Sequence, residues 1–262
     1  MDGPRLTIYR SNMEEFLFLS DHIKAVFSDL DGILRHNLPS GGEFFASYAV
    51  QLGLQATAED RLRAMRWEHF YWANSEELLA DRKLYSEENG EFWNQYAKRQ
   101  LAALGASTLD AAELAPKVTA HMVEAYRPES VVPEDAMRLL SALKQGGYKL
   151  ALISNRERPY QEEIEPLGLS QFFVLTLAGG EIKVWKPEPE IFLHACQHLN
   201  VRPEQAIYVG DNYFADVVGS SRAGLQPVLY DPRGIFPDPG CVIIKSFDEL
   251  LDVLRAASCH AY

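Results

Sequence analysis

The chain has 262 residues, 47% hydrophobic and 24% charged, with a formal net charge of −12. That is globular composition, with enough apolar side chain for one large core or two domains. The negative balance excludes unaided docking on a nucleic-acid backbone or an anionic membrane, and an anionic ligand needs a local positive centre to enter.

The opening stretch, MDGPRLTIYRSNMEEFLFLS, carries Asp2, Glu14 and Glu15 and only a short apolar run, so it does not read as a signal peptide. No apolar segment approaches the length of a membrane span. Cys196, Cys241 and Cys259 are odd in number and far apart, which suits free thiols in a reducing compartment. A soluble cytoplasmic protein is expected, with monomer and homodimer both open.

KAVFSDL (24–30) reads as a buried strand. Residues 40 to about 127 contain no convincing strand. There, EFFASYAVQLGL, AEDRLRAMRWEHFYWAN, EENGEFWNQYAKRQLAAL and LDAAELAPKVTAHMVEAY have the apolar spacing of amphipathic helices. Strands then return at YKLALIS (148–154), FFVLTLA (172–178), AIYVGD (206–211) and PVLYD (227–231). PEDAMRLLSALKQGG, RPYQEEIEPLG, PEPEIFLHACQHLN and NYFADVVGSSRAG read as the intervening helices, and KSFDELLDVLRAA as a last packing helix. Pro133 and Pro187 mark helix starts, and Gly146 and Gly168 helix ends. The expectation is an α/β fold: a Rossmann-like parallel sheet core from residues 1–36 and 128–262, with an all-helical domain inserted at 37–127.

The first strand ends in DLDG. Asp29 and Asp31 are two apart, so they converge on one side at the carboxyl end of a strand, where open α/β sheets bind ligands. Two adjacent carboxylates resist joint ionisation, and they can share a proton, pair with Lys or Arg, or bind a hard cation such as Mg²⁺. A plain turn at Asp31-Gly32 is the simpler alternative. YVGDNYFADVVG repeats the pattern with Asp211 and Asp216. Asp211 is placed either to add a metal oxygen or merely to cap the helix after it, and Asp216 to hold a water or orient a lysine. Ser154 and Asn155 end another strand, where a hydroxyl and main-chain N–H groups suit phosphate oxygens. Lys186, ahead of a proline-started helix, is a cation able to offset clustered acids.

Taken together, SDLDGIL, LISN, VWKPEPEIF and VGDNYFADVVGSSRAG resemble, in order and context, the haloacid dehalogenase superfamily, with the insertion placed where the family's helical C1-type cap lies. The resemblance implies a nucleophilic Asp29 that forms an aspartyl-phosphate, with Asp31 as acid and then base. It implies Mg²⁺ held by the Asp29 side chain, the Asp31 main-chain carbonyl and Asp211. Ser154, Asn155 and Lys186 would bind phosphate, with Gly32 and Asp216 in support. The implied function is hydrolysis of a small phosphomonoester. Transfer to a second hydroxyl, as in the family's mutases, and a weakened binding module are the alternatives. The acid at Asp31 favours phosphate chemistry over dehalogenation. Lys83, Lys98 and Lys117 are candidates for the family's Schiff-base chemistry, and nothing marks one of them as desolvated. A phosphoacceptor receiver domain fits poorly, because Asp211 follows Lys186.

Ile33 departs from the Thr or Ser usual after DxDG, which predicts either a looser turn or a compensating group. RWEHFYWAN (66–74) reads as bundle core more readily than as a ring-binding pocket. Arg35 and His36 read as a solvated hinge. Arg156 and Arg158 lie near Ser154 without a specific assignment. His194 and His198 have metal-binding spacing but no third ligand.

Overall fold

The computed structural model describes residues 23–258 apart from Asn89. The reading of the opening stretch, and Cys259, lie outside the described residues. His36–Val131 form one compact unit and the described residues on either side of it form another. No helix among the described residues is long and apolar enough to cross a membrane.

Strand β1 (Ala25–Ser28) is buried along its whole length. After β2 (His36–Leu38) come five helices: α1 (Gly41–Gln51), α2 (Ala58–Trp72), α3 (Glu76–Leu84), α4 (Glu91–Ala103) and α5 (Thr108–Ala125). The chain then runs through β3 (Glu129–Val131), α6 (Glu134–Gln145), β4 (Lys149–Ser154), the single turn α7 (Gln161–Ile164), β5 (Leu175–Ala178) and the short α8 (Gly179–Ile182). It finishes with α9 (Pro189–Leu199), β6 (Ala206–Gly210), α10 (Val218–Arg222), β7 (Gln226–Tyr230), β8 (Val242–Ile244) and α11 (Phe247–Ser258).

The sheet has six strands in the order β5-β4-β1-β6-β7-β8, and every pairing is parallel. Alternating strand residues feed two separate cores, as the two-residue period requires. Val26, Leu150, Leu152, Ile207 and Val209 join α6 and α11 side chains in one. Ala25, Phe27, Ala151, Ile153, Ala206 and Tyr208 join Ile191, Phe192, Ala195 and Leu199 of α9 in the other. β1 has β4 on one side and β6 on the other, so the strand order reverses across it. That reversal opens the crevice where such sheets take ligands.

The helical unit is entered through serine and threonine N-caps: Ser40, Thr57, Ser75 and Ser107 each accept from a main-chain N–H of their own helix. Its RWEHFYWAN segment is core along one edge: Tyr71 is fully buried with Leu78, Phe92 and Tyr96, Trp67 and Trp72 are partly buried against them, and Phe70 is exposed. Asp81 is buried there and accepts from Arg99 Nε at 2.7 Å and from the Tyr71 hydroxyl at 3.1 Å.

Several sequence expectations are corrected. RPYQEEIEPLG forms only the turn α7, and the first half of FFVLTLA is a 3₁₀ turn and a bend before β5. Pro189, not Pro187, opens α9. The helix after Asp211 is capped by Asn212, whose side chain accepts from Phe214 N and Ala215 N, and it begins as a π-turn at Tyr213–Val217. Helix α3, strand β8 and the β2–β3 antiparallel ribbon were not anticipated.

Candidate active site

The site is assembled at the carboxyl ends of β1, β4 and β6. Asp29 extends the ladder by one bond, its N–H donating to Val209 O at 3.1 Å. One carboxylate oxygen, Oδ1, accepts from Leu30 N at 2.8 Å, which fixes the rotamer. The chain then turns sharply. Gly32 N donates to Arg35 O at 2.9 Å, and Leu34 N and Arg35 N both donate to Leu30 O. Ile33 is fully buried in the apolar core. Main-chain bonds and packing therefore close the turn that a hydroxyl at this position was expected to help fix.

Gly32 has φ +79°, and a Cβ there would overlap the Asp211 carboxylate. Gly32→Ala is accordingly expected to displace that carboxylate and lower divalent-cation affinity by on the order of ten- to a hundredfold. Calorimetric titration with Mg²⁺ reads it, and an unchanged affinity would separate the turn from the acidic cluster.

Lys186 is the positive centre. It is 1% exposed, and its ammonium lies 3.0 Å from Asp29 Oδ2 and 2.8 Å from Asp216 Oδ1. It also donates to the Tyr208 hydroxyl at 3.0 Å, and that hydroxyl donates on to Ile153 O at 3.1 Å. The Phe192 ring stands edge-on to Tyr208 at 4.9 Å. Burial alone would lower the Lys186 pKa, but Asp216 and Asp29 more than offset it and hold the ammonium above its ordinary range. Asn155, expected among the phosphate binders, uses both ends of its amide on the Lys186 main chain: Nδ2 donates to Lys186 O at 2.8 Å, and Oδ1 accepts from Lys186 N at 2.6 Å. Ser154 is buried at the end of β4.

Asp29, Asp211 and Asp216 offer oxygens that all lie within 4.8 Å of one another. Burial raises the Asp29 carboxyl to about 6, with Lys186 opposing and Asp216 and Asp31 adding to the rise. Burial, then Asp216 and Asp29, push Asp211 well above the usual range. One ammonium does not balance three such groups, and an all-oxygen set of converging acids fits a hard divalent cation. Asp216 also anchors the loop, accepting from Asn212 N at 3.0 Å.

The Asp31 carboxylate is turned elsewhere. Its two oxygens accept from Arg35 Nε and Arg156 Nη2, each at 2.7 Å. Of the three ways to settle the Asp29–Asp31 repulsion, pairing with cations is realised for both acids, by different residues. Arg35 is thus not a solvated hinge residue. Its partner Glu163, which also pairs with Arg156, was missed in the sequence. The weak signal available was an Arg four residues after Asp31 and two acids in QEEI. His194 and His198 join no potential metal-holding group among the described residues.

A family model described as haloacid dehalogenase-like hydrolase matches residues 23–224. The chain belongs to that family. Among curated relatives, it is 30% identical to the phosphoserine phosphatase of Thermus thermophilus over 82% of this chain and 91% of that protein. It is 34% identical to the glyceraldehyde 3-phosphate phosphatase of Methanopyrus kandleri, over 53% of this chain and 65% of that protein. A solved structure of a predicted phosphoglycolate phosphatase from Haemophilus somnus superposes with a TM-score of 0.56 at 21% identity, covering 88% of this chain and 98% of that one, which supports the shared fold.

Proposed function

We propose that the chain hydrolyses small phosphate monoesters through an aspartyl-phosphate on Asp29. The observation that carries the reading is a carboxylate at a strand end, 3.0 Å from a buried ammonium and grouped with two further acids able to hold a cation. The relatives named as phosphatases support the same reaction class.

Asp29, Asp211 and Asp216 would hold Mg²⁺, which supplies neutralising charge on the transferring phosphoryl group. A carboxylate oxygen of Asp29 bonds to phosphorus as the ester P–O bond breaks, and the electron pair leaves with the ester oxygen. Lys186, kept charged by its two acids, binds a non-bridging phosphoryl oxygen, and the Ser154 hydroxyl donates to another. Released from the two guanidinium groups and protonated from solvent, Asp31 would give that proton to the departing oxygen. It then takes one from the water that attacks phosphorus, so that Asp29 is regenerated and phosphate released. Asn155 acts through Lys186, fixing the loop that carries it.

The test is phosphate release across sugar, nucleotide and acid phosphates with Mg²⁺, then after chelation. Activity on at least one small ester that falls by on the order of a hundredfold or more on chelation is expected. Release that is indifferent to chelator would remove the cation from the scheme.

A further inference from the structure

We propose that Arg35 and Arg156 form a carboxylate-binding subsite beside Asp29, and that the preferred substrates are phosphate monoesters carrying a carboxylate one or two carbons from the ester oxygen. This rests on the phosphomonoester reading above and narrows it to a substrate class.

The two arginines and two acids make a closed ring. Arg35 reaches Asp31 at 2.7 Å and Glu163 at 2.9 Å. Arg156 reaches Asp31 at 2.7 Å and Glu163 at 2.6 Å. The two guanidinium groups are therefore bridged twice, by Asp31 and by Glu163, each carboxylate giving one oxygen to each arginine in charge-assisted bonds, and the Asp31 position is a gap of carboxylate size between two cations.

The members differ in how firmly they are held. The arginine side chains are 16% and 23% exposed, whereas those of Asp31 and Glu163 are 46% and 44% exposed. Arg156 lies over the Tyr160 ring at 5.3 Å. Its main-chain carbonyl accepts from Gly180 N at 2.9 Å, and a Cβ on Gly180 would run into the Glu157 main chain. The Arg35 N–H is bonded to Leu30 O at 2.8 Å. The cations are the fixed part, and the carboxylate between them is the exchangeable part.

Asp31 cannot serve the ester oxygen while both its oxygens are bound to guanidinium groups. Its departure costs two charge-assisted bonds and leaves two arginines facing one acid. A carboxylate on the substrate refills the gap and restores the balance, and the same exchange turns Asp31 toward the reaction. A neutral ester leaves the gap empty, and sites built around such bonds reject ligands that cannot make them. Asp31 is two residues from Asp29, about 7 Å of chain at most, so only a short spacer connects the two groups.

Binding separates this proposal from the activity it rests on. The protein with Mg²⁺ is titrated with phosphonoacetate and with ethylphosphonate, which share a phosphonate and differ in the carboxylate. In parallel, phosphate release is followed from 2-phosphoglycolate and ethyl phosphate. Phosphonoacetate is expected to bind at least about tenfold more tightly, and Arg35→Met or Arg156→Met to shrink that ratio below about threefold. Glu163→Gln keeps both arginines and removes a competing charge, so the ratio should widen several-fold. Equal affinities in the wild type, or a ratio that survives both arginine substitutions, would overturn the subsite. A preference for phosphonoacetate with no phosphate released from either ester would leave the subsite standing and overturn the phosphatase reading.

Discussion

Asp29→Asn is expected to lower phosphate release by on the order of 10⁴-fold or more, because an amide oxygen cannot form the covalent intermediate. The substitution keeps the shape of the side chain and an oxygen able to accept from Leu30 N. Lys186 keeps Asp216 and Tyr208 as partners, so the fold is not put at risk. The stability of the variant has a definite pH signature. The folded Asp29 carboxyl is raised to about 6 from an ordinary value of 3.8. A group raised in this way favours the folded state fully only below the ordinary value, and that contribution is lost as the pH rises through about 6. Asn carries no such penalty. The melting temperature of Asp29→Asn relative to wild type, without metal, should therefore climb between about pH 4 and pH 6 and level off above that. Turnover within about tenfold of wild type would show that another group attacks phosphorus.

Asp211→Asn should do something opposite to an ordinary core substitution: stabilise the metal-free protein while removing its response to the cation. Burial and two neighbouring acids raise Asp211 well above the usual carboxylate range, so at neutral pH the wild type carries an ionised cluster, or holds protons, at a cost. Relieving it is worth about 1–3 kcal/mol, by analogy with other uncompensated buried charges. For a chain of this size that is a rise of several degrees in melting temperature, on the order of 2–4 °C per kcal/mol. Wild-type protein should instead gain about 2.7 kcal/mol when Mg²⁺ reaches a hundred times its dissociation constant. That gain should be smaller at pH 5.5 than at pH 7.5, because raised carboxyls must give up protons before they ligate. Thermal melts at the two pH values with and without Mg²⁺ decide the matter. Equal Mg²⁺-induced shifts in wild type and variant would mean that the cation binds elsewhere.

What the sequence made legible, and what it did not, follows from the range of the interactions. The strand ends were readable because burial imposes an uninterrupted apolar run, and an acid that breaks it abruptly is conspicuous, as at Asp29 and Asp211. Lys186 could be singled out only as the cation missing from that set. The Arg35–Asp31–Arg156–Glu163 ring was opaque, because it joins residues more than a hundred positions apart, on two loops and the turn α7, and a loop arginine looks alike whether it is solvated or paired. Helix α3 was missed because EELLADRKL shows only a weak apolar face and is secured by a serine cap. The β2–β3 ribbon and β8 are three residues per strand, too short for alternation to declare itself.

The relay from Phe192 through Tyr208 to Lys186 means that the reactive centre has a hidden dependence on oily packing. A ring with no polar atom sets where a phenol sits, and the phenol sets where an ammonium sits. Because Phe192 is itself fully buried in the core, a smaller side chain there would loosen the packing around Tyr208 and cost stability at the same time.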